Sequence, residues 1–179
     1  MRVSRAQVAE NKRKLLEAAG QLFKTNGFEA VTVNDVMKSA GLTHGGFYSY
    51  FESKDDLISQ TLTNLKETAE ALPTDMAAFA EQYLSLAHKD NFARGCSVAA
   101  LAPESVRQDG KARLEMTASL RAQYERLSEI SPGTSPHDKR EAAIGIWSAM
   151  VGALILARAS NDPKLSQEIL DSTRRWIAR

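Results

Sequence analysis

Apolar side chains recur along the chain at steps of three and four residues, the spacing of one helix face, and no run shows sustained period-two alternation. Val8, Leu15, Leu16, Ala19, Leu22 and Phe23 form the first stripe, and Asn26-Gly27 supplies a left-handed stop, so a helix is predicted over residues 6–26. Thr32 followed by Asp35 is a capping-box variant that opens a short helix over 33–40, which Gly41 ends. Thr43 caps a second short helix through Tyr50. Ser53 with Asp56 repeats the signal and opens a long helix to Leu72, before Pro73. Further helices are predicted over 75–89, 98–106, 111–129, 138–160 and 164–178. Ser135-Pro136 with Asp138, and Asp162-Pro163, place an N-cap and a first-turn proline at the last two. The fold class that follows is all-α, with about nine helices.

Within 33–51 the pattern is a short helix, a tight turn at Ala40-Gly41 and a second short helix, the plan of a helix-turn-helix. Val33, Val36, Met37, Leu42, Phe47 and Phe51 have the spacing to pack inward against the first helix. Thr43, His44, Gly45, Gly46, Tyr48, Ser49 and Tyr50 are left for the outer side. A second helix of this kind is suited to a DNA major groove.

Three segments together then carry a resemblance. Phe28-Glu29-Ala30-Val31-Thr32-Val33-Asn34-Asp35-Val36, Ala40-Gly41-Leu42-Thr43-His44-Gly45-Gly46-Phe47-Tyr48-Ser49-Tyr50-Phe51, and Ser53-Lys54-Asp55-Asp56-Leu57 keep a fixed spacing, with Leu15-Leu16-Glu17-Ala18-Ala19 and Leu22-Phe23 upstream. This closely resembles the TetR family of bacterial transcriptional regulators. The resemblance implies a three-helix DNA-binding head over residues 1–53, through about 69 with a connecting helix, and a ligand-binding and dimerisation part over 54–179. It also implies that 43–50 is the recognition helix, with His44 and Thr43 reading base edges while Gly45 and Gly46 allow close approach. Tyr48, Ser49 and Tyr50 would share that face, although the family often has histidine where Tyr50 stands. Phosphates would meet Tyr48, Lys54 and the start of the helix at Thr32 and Val33. Gly95-Cys96-Ser97-Val98-Ala99-Ala100-Leu101 resembles a segment of a subset of these regulators that usually has proline where Ser97 stands.

Composition and charge narrow the alternatives. The chain has 179 residues, 43% hydrophobic and 25% charged, with a formal net charge of +1. That is an ordinary globular balance, not a disordered or strongly basic one. Residues 1–14 carry Arg2, Arg5, Lys12, Arg13 and Lys14 against Glu10, a local +4, yet 1–60 hold 8 basic and 7 acidic side chains. Non-specific affinity from counterion release is therefore expected to be modest. The polar start has no signal-like apolar run, one cysteine closes no internal disulfide, and the longest uncharged stretch, 142–157, is shorter than a spanning helix. A cytoplasmic protein with no membrane contact is expected. The histidines at 44, 88 and 137 are too scattered for a metal cluster, and His88 and His137 read as helix-end or solvent partners. No catalytic motif or cofactor is found, so no enzyme is expected.

In the C-terminal part, Phe79, Tyr83, Phe92, Met116, Leu120, Tyr124, Trp147 and Met150 fall at helix-core spacing; the resemblance makes them, with Cys96, candidates to line a pocket for an unknown small-molecule inducer. Gly145, Ser148, Ala149 and Gly152 form a small-residue stripe on a very apolar helix. With Leu156, Ile169 and Trp176 they resemble the family's homodimer interface. The expectation is a ligand-responsive repressor, a homodimer on a palindromic double-stranded DNA operator. The alternative is a helical ligand-binding or adaptor protein that does not bind DNA.

Overall fold

The computed structural model describes residues 4–67, 72–108 and 110–179, with the His44 side chain outside that set. Nine α-helices and one 3₁₀ segment make up these residues. They are α1 (Arg5–Ala30), α2 (Val33–Ser39), the 3₁₀ segment His44–Ser49, α3 (Lys54–Glu67), α4 (Met76–Tyr83), α5 (Leu86–Asp90), α6 (Ser97–Ser105), α7 (Gly110–Ile130), α8 (Pro136–Ala159) and α9 (Pro163–Ile177). The all-α reading holds, and no strand occurs among the described residues.

The local signals are used largely as expected. Thr32 and Asp35 form a full capping box on α2, as do Ser135 and Asp138 on α8. The Ser53 hydroxyl accepts the Asp56 N–H, and Asp162 accepts the N–H groups of Lys164 and Leu165. Gly41 takes a φ of 71°, which lets the chain reverse tightly after α2.

Two predicted helices depart from expectation here, and a third runs beyond the described residues. α1 does not stop at Asn26; it kinks at Gly27 (φ 82°, ψ 169°) and adds another turn through Ala30. That backbone region is open essentially to glycine alone. The kink is clasped from α6, where the Glu104 carboxylate accepts the Phe28 N–H at 2.6 Å. Residues 75–89 are not one helix. Leu84 leaves helical geometry, Ser85 caps α5, and the His88 ring is held by the Tyr83 carbonyl at 2.6 Å and the Cys96 N–H at 3.0 Å. His88, in the last turn of α5, is thus an internal bridge rather than a solvent partner. The helix opened by Ser53 is described through Glu67, so its predicted run across 68–71 lies outside the described residues.

The head core is Leu15, Ala19, Phe23, Phe28, Val36, Met37, Phe47, Phe51 and Leu57, all buried. Val8, expected in the first stripe, is exposed because the start of α1 extends beyond this core. Leu101, Leu127, Trp147, Met150, Leu154 and Leu170 continue the same apolar cluster through the C-terminal helices. α8 as a whole is long and apolar enough to cross a membrane, whereas its charge-free stretch 142–157 is by itself too short. Its buried side instead packs in this core, and Arg158 in its last turn donates to the carbonyls of His88 and Lys89.

Candidate nucleic-acid interface

The recognition segment is built on one buried ring. Phe47 fills the space beside Phe51 at 5.5 Å between ring centroids, which turns its neighbours Tyr48 and Ser49 outward. Tyr48 is 78% exposed, with its ring edge against Phe47 at 5.3 Å. Thr43 is the N-cap of the segment, but its side chain accepts no capping hydrogen bond. The segment is a 3₁₀ helix rather than the expected α-helix. Gly45 and Gly46 explain this, since each lowers α-helix propensity by about 1 kcal/mol relative to alanine. A Cβ built at Gly45 would meet nothing within 4 Å, so the fold itself does not require a bare backbone there.

Two expected contacts are already engaged. The Thr32 hydroxyl donates to Asp35 Oδ2 at 2.6 Å and accepts the Asp35 N–H, while the Thr32 N–H also goes to that carboxylate at 2.9 Å. Thr32 therefore seals the start of α2 rather than offering donors to a phosphate. Its hydrogen bonds hold the Asp35 carboxyl below the usual range, which places a negative charge at this helix end. Val33, the first residue of α2, keeps an N–H that has no intrahelical acceptor. The Tyr50 hydroxyl accepts from Asn11 Nδ2 at 3.0 Å, and Gln7 steadies Asn11 at 2.9 Å. Tyr50 thus ties the recognition segment to α1 with a half-buried ring.

Lys54 heads α3 and donates to the Glu29 carbonyl at 3.4 Å, so its ammonium sits where the end of α1 meets the start of α3. The basic start of the chain is partly neutralised: Arg13 pairs with Glu10 at 2.7 Å and with Glu17, and Lys14 lies 3.9 Å from Glu10. Lys12 lies over the Phe51 ring at 5.6 Å. Arg2 lies outside the described residues.

A second feature is a cavity of about 460 Å³ bounded by α1 and α3 to α8. Of the expected pocket residues, Phe79, Tyr83, Cys96 and Trp147 border it. Met116 and Met150 are buried in the core, and Leu120 and Tyr124 pack against that core instead of bordering the cavity. Phe92 is exposed outside the cavity, because Arg158, fixed by the carbonyls of α5, draws the Phe92 ring over its guanidinium at 4.5 Å. The Tyr83 hydroxyl and the Trp147 indole N–H are buried with no hydrogen-bond partner among the described residues. Such a group ordinarily costs about 1–3 kcal/mol. Burial pushes the Tyr83 phenol well above its usual pKa, and burial also lowers that of His88 and of Lys24, which reaches the cavity from α1. Among the described residues no cluster of three or more His, Cys, Asp or Glu is placed to hold a metal ion.

A third feature is an open face on α8 and α9. Gly145 and Ser148 are exposed, Ala149, Gly152 and Ile169 are half-buried, and Leu156 and Trp176 are 60% and 55% exposed. A Cβ built at Gly145 or Gly152 would meet no atom within 4 Å. Neither glycine therefore packs closely against another described residue of this chain, while the Ser148 hydroxyl lies 3.5 Å from the Tyr124 hydroxyl.

Sequence reasoning missed Asn11, Lys24, Glu104 and Arg158. Each acts on a residue about 40 or more positions away, so no local spacing marks them.

Residues 15–61 match the profile of bacterial regulatory proteins of the tetR family, and residues 73–170 match the C-terminal domain of LmrA/YxaF-like transcriptional regulators. An uncharacterized HTH-type transcriptional regulator of Mycobacterium tuberculosis is 24% identical over 84% of this chain and 86% of its own length. The transcriptional repressor KstR2 of Mycolicibacterium smegmatis is 35% identical over 32% of this chain and 28% of its own. The crystal structure of reduced Escherichia coli NemR superposes with a TM-score of 0.75 at 20% identity, covering 94% of this chain and 95% of that one. A TetR-family regulator of Agrobacterium tumefaciens gives 0.73 at 18% identity, covering 94% and 98%. A helix-turn-helix carrying an outward Tyr48 beside an inward Phe47, joined to a helical C-terminal part that matches over most of its length, assigns the chain to the TetR family of bacterial transcriptional regulators.

Proposed function

We propose that this regulator is a cytoplasmic, ligand-responsive repressor that binds a palindromic operator as a homodimer and leaves it when a small molecule fills the C-terminal cavity. In this reading residues 1–53 form the DNA-reading head and 54–179 the ligand-binding and dimerisation part; no catalytic role is assigned. The observation that carries it is the outward face of the recognition segment, where exposed Thr43, Gly45, Tyr48 and Ser49 ride on buried Phe47. His44 and Thr43 read base edges, and the bare Gly45 backbone lets the segment approach the groove floor. Gly46, half-buried beside Met37, keeps that approach narrow. Tyr48, the Lys54 ammonium and the Val33 N–H position the head on phosphates. Tyr50 orients the segment through Asn11.

The open stripe of α8 with Leu156, Ile169 and Trp176 supports a two-fold helix-to-helix interface. Two heads related in this way meet successive major grooves when about 34–36 Å apart. α3 links the head to the cavity, which Leu65 and Lys66 near its end border. Its 14 described residues span roughly 21 Å. A ligand that favours another head separation lowers DNA affinity by its differential binding, and DNA lowers ligand affinity by the same factor.

Titration of DNA flanking the regulator's own gene, by gel shift over a range of salt, tests this reading. Tyr48→Phe and Lys54→Met are expected to weaken binding to all sequences alike, and His44→Ala to change which sequence is preferred. If all three leave affinity and preference unchanged, the DNA assignment is wrong.

A further inference from the structure

The cavity has a chemical bias that shape alone does not convey. Its described wall holds Lys24, Lys66, Arg94 and Arg126 but no carboxylate. Lys66 faces Glu115 at 3.8 Å, and Arg126 donates to Gln123. Arg94 is exposed. Lys24 is half-buried, donates to the Gly95 carbonyl at 3.3 Å and has no carboxylate partner among the described residues. Burial makes its positive charge harder to hold, so an anion beside it would be favoured on both sides of the contact.

Two further groups point the same way. Tyr83 and Trp147, 7% and 2% exposed, border the cavity with an O–H and an N–H that find no acceptor among the described residues. The Tyr83 hydroxyl lies beside the Cys96 thiol, without the geometry of a hydrogen bond to it. An indole N–H only donates, and a phenol kept protonated by burial also has a hydrogen to give. His88, the neighbouring group with a ring nitrogen able to accept, already accepts from the Cys96 N–H. Leu65, Leu72, Phe79 and Val98 supply apolar wall. The site thus offers donors and positive charge above an apolar surface.

We propose that the cavity binds an amphiphilic organic anion, a carboxylate on an apolar body of about ten to twenty non-hydrogen atoms, with Lys24 facing its charge and the Tyr83 and Trp147 donors meeting its oxygen atoms. Because Lys24 belongs to α1, the anion contacts the same helix that carries the head. The proposal rests on reading this cavity as the effector site, and it is tested without DNA, so its failure leaves the DNA assignment standing.

The experiment is calorimetric titration of the full chain at neutral pH with matched acid and amide pairs: benzoate and benzamide, naphthoate and naphthamide, decanoate and decanamide. At least one acid is expected to bind about tenfold more tightly than its amide, the gap between a charge-assisted and a neutral hydrogen bond. Lys24→Met is expected to close that gap by weakening the acid alone, and Lys24→Arg to restore it. Trp147→Phe is expected to weaken both members of the pair. The proposal is overturned if no acid binds, if every amide binds as well as its acid, or if the gap survives in Lys24→Met. Failure of all six compounds would assign the unpaired donors to water instead.

Discussion

At the head, Thr32 and Asp35 exchange hydrogen bonds and Asp56 donates to Ser53 and accepts from the Glu52 N–H, all across three or four residues, whereas at the cavity the Tyr83 hydroxyl and the Trp147 indole N–H have no partner among the described residues. Both regions belong to one apolar cluster. The head meets its polar needs internally and turns the remainder outward, as Tyr48 and Thr43 do. The cavity leaves donors unmet on the inside. A fold thus presents a binding site in two ways: by an exposed group with no internal task, or by a buried group with an unfinished one. The first suits a partner as large as DNA. The second suits a molecule small enough to be enclosed.

The contrast is most severely tested at adjacent residues of the recognition segment. Phe47→Ala is expected to lose roughly 3–5 kcal/mol in chemical denaturation, as a buried ring gives way to a cavity. Tyr48→Phe should stay within about 0.5 kcal/mol of the parent, as surface changes do. Equal losses from the two would erase the division between inner and outer faces. Next in size, Gly27→Ala is expected to cost about 1–3 kcal/mol, because alanine is strained at φ 82° and its Cβ would press on the Glu104 carboxylate. A neutral result in thermal melting would mean the joint between α1 and α6 is not held rigidly.

Removing a polar group should then have opposite signs in the two regions. Thr32→Ala is expected to destabilise by about 1 kcal/mol through loss of the cap. Tyr83→Phe is expected to be neutral or to stabilise by about 1 kcal/mol, since an unpaired buried donor disappears. If Tyr83→Phe destabilises as Thr32→Ala does, the hydroxyl has a solvent partner and the contrast fails. The smallest effect concerns pH. Burial lowers the His88 pKa, so protonation favours the unfolded chain, where histidine titrates near its ordinary value of 6.5. The stability from neutral His88 is complete above that value and declines as pH falls from it toward the lowered folded value. Melting temperature should therefore drop across mildly acid pH, and His88→Gln should flatten that part of the profile. The Asp35 and Asp138 carboxyls, held low by their capping hydrogen bonds, act only below the ordinary value of 3.8.

Legibility followed the range of each interaction. The capping pairs at Thr32 and Ser135 were readable because donor and acceptor are three residues apart on one chain. Phe47 inward and Tyr48 outward followed from helical spacing. The spacing marks Thr32 as a cap, but it does not reveal that the Asp35 carboxylate engages both donors that the family resemblance offers to a phosphate. The break at Leu84 was hidden because the His88 ring that fixes α5 takes its second partner from Cys96. Helix-core spacing and the family resemblance make Phe92 a pocket candidate, and Arg158, 66 positions further along, holds it outside.

Sequence alone determined the helical period, most helix starts, the turn at Gly41 and the two-sided character of residues 43–50, since each depends on side chains a few positions apart competing for the same backbone groups. The tertiary structure decided which polar groups were left over. Lys24 became a cavity residue, Asn11 the partner of Tyr50, and Glu104 the clasp on Gly27 only after distant helices had packed together. Whether a hydrogen bond is met or unmet depends on everything within about 3 Å of the donor. In a folded helical chain most of those neighbours beyond the local turn come from elsewhere in the sequence.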